Sequence, residues 1–341
     1  MSSVPTDNHV PPSQLTLSAS AGWRSLPPEY AIPEHAPSLQ EAQQYCSRLA
    51  HSHYENFSVV TWFLPKHLHQ HFYNVYAYCR WADDLGDEVA DPKRAVELLD
   101  GWDEELQRAY RGAATHPVLI AVAETARECE IPIEPFRDLL IAFRQDQTVH
   151  RYAKWEDVIG YCGYSANPVG RLVLYLMGYR DAERQALSDA TCTALQLANF
   201  WQDVGRDLEK GRIYIPQELA AAHGVTEDDI VSKQFGSDYA ELMKELIART
   251  RALFAVGAPL ASRVSPEFRV DLELFNRGGC AVLDAIESMG YDTLHRRPVL
   301  DRGVQARLLG RALISRILSS FRSTDDGGQK PESTSLAGRH A

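Results

Sequence analysis

Tyr76-Ala-Tyr-Cys-Arg80-Trp-Ala-Asp83-Asp84-Leu-Gly-Asp87-Glu88 sets Tyr76, Arg80, Asp83 and Asp87 at intervals of four, three and four. A second stretch, Gln196-Leu-Ala-Asn199-Phe-Trp-Gln202-Asp203-Val-Gly-Arg206-Asp207, sets Gln196, Asn199, Asp203 and Asp207 at intervals of three, four and four. Residues so spaced stack on one face of an α-helix, one per turn. Each stretch therefore predicts a helix with an Asp-x-x-x-Asp pair along one stripe. Two carboxylates on adjacent turns repel, at a cost of a few tenths of a kcal/mol. A hard divalent cation removes that cost. Magnesium takes oxygen ligands at roughly 2.0–2.1 Å, keeps several waters and shares its shell with substrate phosphates. The alternative for either motif alone is a solvated helix face. Two such motifs in apolar surroundings, each with uncharged polar neighbours on its stripe, favour a metal–diphosphate site.

Working outward, the apolar residues recur at helical spacing, as in Val96, Leu98, Leu99, Trp102 and Leu106. Alternating β-branched runs are almost absent, so the fold class is all-α. Ser38-Leu-Gln-Glu41 reads as a capping box that opens the first helix. Asp91-Pro92, His116-Pro117, Glu134-Pro135 and Ser265-Pro266 read as further helix starts, with proline where the first turn needs no donor. Residues 1–37 hold seven of the 18 prolines and are expected to be a disordered lead-in. One helical domain is expected over 38–322, and a disordered polar tail over 323–341.

The chain has 341 residues, enough for one large core or at most two domains. Its 45% hydrophobic and 24% charged content is that of a globular protein. A net charge of −11 argues against a nucleic-acid binder and against electrostatic attraction to anionic lipid. Six scattered cysteines without a Cys-x-x-Cys pair suit reduced thiols in the cytoplasm. No apolar run reaches the roughly 18 residues of a membrane span. A Gly-x-Gly-x-x-Gly dinucleotide fingerprint is absent, so no NADPH is expected.

These motifs resemble those of the squalene/phytoene synthase family, the head-to-head isoprenoid synthases, from about His53 to Pro298. The likeness rests on Tyr76…Arg80-x-x-Asp83-Asp84-x-x-Asp87, on Tyr161-Cys162…Val169-Gly170, on Asn199-x-x-x-Asp203-x-x-x-Asp207 and on Gly211-Arg212-Ile-Tyr214-Ile-Pro216. Within the family, Asn56-Phe57, the Asp83–Glu88 wording, Ser165-Ala-Asn-Pro-Val-Gly170 and Asn199-Phe-Trp-Gln-Asp203 look most like the hydroxysqualene synthases of bacterial hopanoid biosynthesis. The resemblance implies a single-domain helical bundle around a deep apolar cavity. It implies a cluster of about three magnesium ions, held by Asp83, Asp87, Asn199, Asp203 and Asp207. Tyr76 and Arg80 take diphosphate-contacting positions. Asn56, Phe57, Tyr161, Ser165, Val169, Gly170, Arg171, Gln196, Gln202, Arg212 and Tyr214 are candidate substrate contacts. The implied substrate is a prenyl diphosphate. Peripheral contact with the inner face of the membrane, and with other squalene-pathway enzymes, stays open.

Each candidate also has a plainer role. Arg80 could simply pair with an aspartate of its own helix. Gly211 is explained by a left-handed helix cap. Asn167-Pro168 and Gly170 are expected to break their helix, either for packing or to bring substrate near the backbone. The aromatic residues Phe57, Trp62, Phe63, Phe72 and Tyr73 could be core or cavity wall. Three departures from the family pattern stand out: His53-Tyr-Glu-Asn56-Phe57, Gln202 where arginine is common, and Arg277-Gly-Gly-Cys280 where a tyrosine is common. Each is expected to remove contacts with a diphosphate, as in an enzyme that handles one diphosphate. The implied reaction is presqualene diphosphate plus water to hydroxysqualene and diphosphate. Condensation of two farnesyl or geranylgeranyl diphosphates is the alternative, and a non-catalytic scaffold is a third reading that the intact aspartates disfavour.

Overall fold

Ser38 and Glu41 close a reciprocal capping box, the hydroxyl meeting Glu41 N–H at 3.4 Å and the carboxylate accepting from Ser38 N–H at 2.8 Å. From this start, α1 runs over Leu39–Ser52. The structure, a computed structural model, describes residues 35–52 and 65–299. Asn56, Phe57, Trp62 and Phe63, most of the lead-in and the tail lie outside the described residues.

Eleven further helices follow: α2 His69–Asp87, α3 Pro92–Tyr110, α4 Pro117–Glu128, α5 Glu134–Gln145, α6 Trp155–Ser165, α7 Asn167–Leu176, α8 Ala182–Glu209, α9 Gln217–Ala222, α10 Glu227–Val231, α11 Ser237–Gly257 and α12 Pro266–Ser288. No strand occurs among the described residues. Asp91, His116 and Ser265 are N-caps with proline directly after them, as the sequence predicts. At α5 the cap moves back one residue to Ile133, and Glu134 begins the helix. The break at Asn167-Pro168 is also present. α6 ends at Ser165, Ala166 turns with φ −117° and ψ −44°, and α7 resumes at Asn167.

Two large apolar clusters form most of the interior of the described residues. One gathers Tyr45, Phe72, Tyr78, Trp81, Trp102 and Phe136 from α1, α2, α3 and α5. The other gathers Leu197, Trp201, Leu246, Ile247 and Leu283 from α8, α11 and α12. Fully burying such side chains stabilises the fold by roughly 1.5–3 kcal/mol each. Two of the buried indoles are matched: Trp81 Nε1 donates to the Tyr45 hydroxyl at 3.1 Å, and Trp201 Nε1 donates to Thr250 Oγ1 at 2.8 Å. α2 thus backs onto the first cluster and α8 onto the second. Burying one face of each helix leaves the other, with its aspartates, turned to the space between them.

Candidate active site

That space is a cavity of about 490 Å³. From α2 it receives Tyr76, Cys79, Arg80, Asp83 and Asp87, and from α8 it receives Gln196, Asn199, Phe200, Asp203 and Asp207. Both aspartate stripes therefore line one cavity. Leu139, Phe143, Asp146, Tyr161, Ser165, Val169, Arg212 and Tyr214 complete the wall.

Crowding of like charge marks the site. Enclosure, reinforced by Asp87 one turn on, pushes the Asp83 carboxyl up to about 6 against the pull of Arg80. Its side chain is still 47% exposed, so water in the cavity tempers that push. Enclosure and the charge of Asp203 push Asp207 up to about 7. Basic side chains partly offset the acid. Arg297 grips Asp203 with two hydrogen bonds, at 2.5 and 3.1 Å. Arg212 and Lys210 approach Asp87 at 3.3 and 3.5 Å. Burial disfavours the charge of Arg212, but Tyr214, Asp146 and Asp87 outweigh it and raise its pKa.

Arg212 is placed by the end of α8. Gly211 adopts φ +73°, its N–H bonds the Leu208 carbonyl, and the Arg212 N–H bonds the Asp207 carbonyl at 2.8 Å. This is a Schellman cap, and glycine is needed for its left-handed residue. It links the last aspartate of α8, through one backbone turn, to a guanidinium that reaches Asp87 on α2. Arg80 meets Asp84 at 2.5 Å and Asp83 at 3.5 Å. Asp84, its side chain only 4% exposed, thus fixes Arg80 from beneath the cavity face. Beside them, Phe200 stacks on Tyr214 at 3.8 Å, with Tyr152 and Tyr161 alongside.

Three candidates lie elsewhere. A Cβ on Gly170 would fall 2.5 Å from Cys192 Sγ and from Ser188 Oγ, so this glycine lets α7 approach α8 and does not line the cavity. Arg171 is held by both oxygens of Asp189, at 3.0 and 2.6 Å. Gln202 is buried and donates to the Pro298 carbonyl at 2.8 Å. It fastens residues near 298 to α8, whereas the sequence pattern predicted a lost diphosphate contact. The departure at Gly279 is likewise packing: a Cβ there would collide with the Phe254 ring. Sequence reasoning missed Cys79 and Phe200, which the stripe spacing could have found. It also missed Leu139, Phe143, Asp146 and Arg297, which carry no local signature.

Oxygen donors in acidic pairs fit magnesium, and their mutual repulsion in its absence supports that fit. Among the described residues, no three acidic side chains converge into a ready-made metal site. The two helices therefore offer separate carboxylate pairs across one cavity. No described helix is long and apolar enough to cross a membrane.

Comparison with known proteins agrees with this geometry. The sequence model described as squalene/phytoene synthase matches residues 36–304. Hydroxysqualene synthase of Rhodopseudomonas palustris is 37% identical over 64% of this chain and 74% of its own length. Phytoene synthase 3 of Zea mays is 26% identical over 97% of this chain and 79% of its own. Among solved structures, squalene synthase HpnC from Alicyclobacillus acidocaldarius is 48% identical, with a TM-score of 0.72 over 74% of this chain and 95% of its own. A dehydrosqualene synthase bound to a ligand is 25% identical, with a TM-score of 0.73 over 83% of this chain and 98% of its own.

Proposed function

The chain belongs to the squalene/phytoene synthase family, and from that premise we propose that it converts presqualene diphosphate and water to hydroxysqualene with release of diphosphate. The observation that carries this reading is the convergence of Asp83, Asp87, Asp203 and Asp207 on one cavity with an aromatic wall. The likeness to a hydroxysqualene synthase at 37% identity supports the hydration over other reactions of the family.

Asp83, Asp87, Asp203 and Asp207, with Asn199, would hold magnesium. Bound there, the metal would offset the charge that develops on the diphosphate as its C–O bond ionises. Arg212, tied to both aspartate helices, lies where it can bind diphosphate oxygens with its planar fork. Arg80, oriented by Asp84, adds positive charge from the α2 side. Tyr161, Phe200 and Tyr214 border the space that the cyclopropylcarbinyl cation would enter, and an aromatic face turned to it would stabilise positive charge by roughly 0.5–2 kcal/mol. Leu139, Phe143 and Val169 limit the water that reaches it.

Phytoene synthases among the relatives favour a second reading, condensation of two prenyl diphosphates. One experiment separates the two. Purified protein with magnesium is given either presqualene diphosphate or farnesyl diphosphate, and products are identified by mass spectrometry. Hydroxysqualene from presqualene diphosphate alone is the expected result. Turnover of farnesyl diphosphate by itself would replace the hydration with the condensation.

A further inference from the structure

We infer that the carboxylate of Asp146 takes the proton from the water that quenches the cation, and so directs the reaction to an alcohol. This rests on the hydration reading above. Five carboxylates line the cavity, four of them on α2 and α8. The fifth, Asp146, directly follows α5, on a wall otherwise built by Leu139 and Phe143 of that helix. Among the described residues no lysine or arginine forms an ion pair with it. Its one side-chain partner there is Tyr161, whose hydroxyl donates to Asp146 Oδ2 at 3.0 Å. Burial and the charge of Asp146 raise the Tyr161 pKa, so the phenol stays a neutral donor. It fixes the plane of the carboxylate and leaves Oδ1 without a hydrogen bond among the described residues.

Asp146 is part-buried on the cavity wall, so this oxygen is open to the cavity and can accept a hydrogen bond from a water there. Such a water would lie against the wall that also presents Tyr161 and Phe200 to the reacting chain. Enclosure pushes the Asp146 carboxyl up to about 6, so near neutral pH it is ionised yet basic enough to accept a proton.

The step balances without an oxidant or reductant. The C–O bond to diphosphate breaks, and its electron pair leaves with the diphosphate. A lone pair of the water forms the new C–O bond to the cationic carbon. One O–H bond of that water then breaks, its electrons stay on oxygen, and its proton goes to Asp146 Oδ1. Without an acceptor beside the water, a C–H bond next to the cationic carbon instead breaks, its electrons form the C=C bond, and its proton goes to the released diphosphate. The product is then a hydrocarbon that lacks the elements of one water. Asp146 therefore sets the split between alcohol and hydrocarbon, separately from the ionisation that the aspartate helices promote.

The test uses the full chain with magnesium and presqualene diphosphate in ¹⁸O-enriched water. Diphosphate release and the alcohol-to-hydrocarbon ratio are measured separately. Wild type is expected to give alcohol carrying one ¹⁸O. Asp146→Asn, which keeps the shape and an acceptor for Tyr161, is expected to keep releasing diphosphate while the ratio falls by about tenfold or more. Asp146→Glu is expected to recover part of the ratio, and thermal unfolding of both variants checks that they fold. An unchanged ratio in Asp146→Asn overturns the inference, since the proton would then go elsewhere. Complete loss of diphosphate release in a folded variant overturns it too, since Asp146 would then act in ionisation. A wild type that forms no alcohol overturns the hydration reading and this role with it, whereas an alcohol-forming wild type beside an unaltered variant overturns the role alone.

Discussion

His116→Asn is expected to abolish a loss of stability that wild type suffers on acidification. His116 caps α4, accepting the Val118 N–H at Nδ1, and lies edge-on to Trp81 at 4.7 Å and Trp102 at 4.8 Å. Trp81 belongs to α2, so this ring packs directly behind the helix that carries Asp83. Burial lowers the pKa of the imidazole from 6.5 to about 3. The unfolded chain therefore takes up a proton near its ordinary value and the folded chain only near 3, so the stability is complete above about 6.5 and is lost as pH falls. The gap between the two values is worth roughly 5 kcal/mol in all, of which roughly 2–3 kcal/mol is lost between about pH 7 and pH 4.5. Asparagine can keep the cap but not the ring contacts, so the variant should start about 1–3 kcal/mol less stable near neutral pH. The raised carboxyls of Asp83, Asp146 and Asp207 act in the opposite sense, stabilising the fold as pH falls through about 7 to 4. Because both proteins share them, the difference between the two curves isolates His116. Urea unfolding at a series of pH values, with metal chelated, measures that difference. Parallel curves for wild type and variant would refute the reasoning.

Other perturbations test the site and its frame. Asp203→Asn should lower diphosphate release from presqualene diphosphate by about a hundredfold or more while the protein stays folded by circular dichroism, and undiminished release would remove Asp203 from the metal set. Gly211→Ala forces a side chain onto φ +73°, so it should cost about 1–2 kcal/mol in urea unfolding and raise KM through Arg212; unchanged stability would mean that the cap relaxes freely. Gly170→Val should destabilise the fold by about 1–3 kcal/mol or more, because its Cβ would meet Cys192 and Ser188 at 2.5 Å. A folded Gly170→Val variant of full stability but altered product would return this glycine to the cavity.

The fold was legible because helices advertise themselves locally. Spacings of three and four, with proline after Asp91, His116 and Ser265, mark where helices begin and which face they bury. The aspartate stripes were legible for the same reason: Asp83 and Asp87, like Asp203 and Asp207, share one face of one helix. The misplacements follow from the same geometry. Neighbours along a helix are rotated by about 100°, so Gly170 and Arg171 turn away from the face that Val169 gives to the cavity. Gln202 likewise turns away from the face of Asp203 and meets the Pro298 carbonyl. Asp146 and Arg297 were not legible at all. Arg297 reaches Asp203 across 94 positions of chain, and no periodicity records such a contact.

Two of the three departures from the family pattern have therefore changed meaning. Gln202 and Gly279 serve packing, so they do not argue that the enzyme handles one diphosphate instead of two. The charge of the cavity bears on the hydration we propose. Among the described residues that line it there are five carboxylates, and the basic side chains are Arg80 and Arg212. Arg80 is already tied to Asp84, and Arg212 approaches Asp87. Two diphosphates entering together would bring about six further negative charges into a region that already repels anions. On the proposed reading, a single diphosphate would bring about half that charge and would leave the aromatic wall for the thirty-carbon chain. On the hydration we propose, the product would be decided by which group beside Tyr161 removes a proton from water, and among the lining carboxylates it is Asp146 that accepts the Tyr161 hydroxyl.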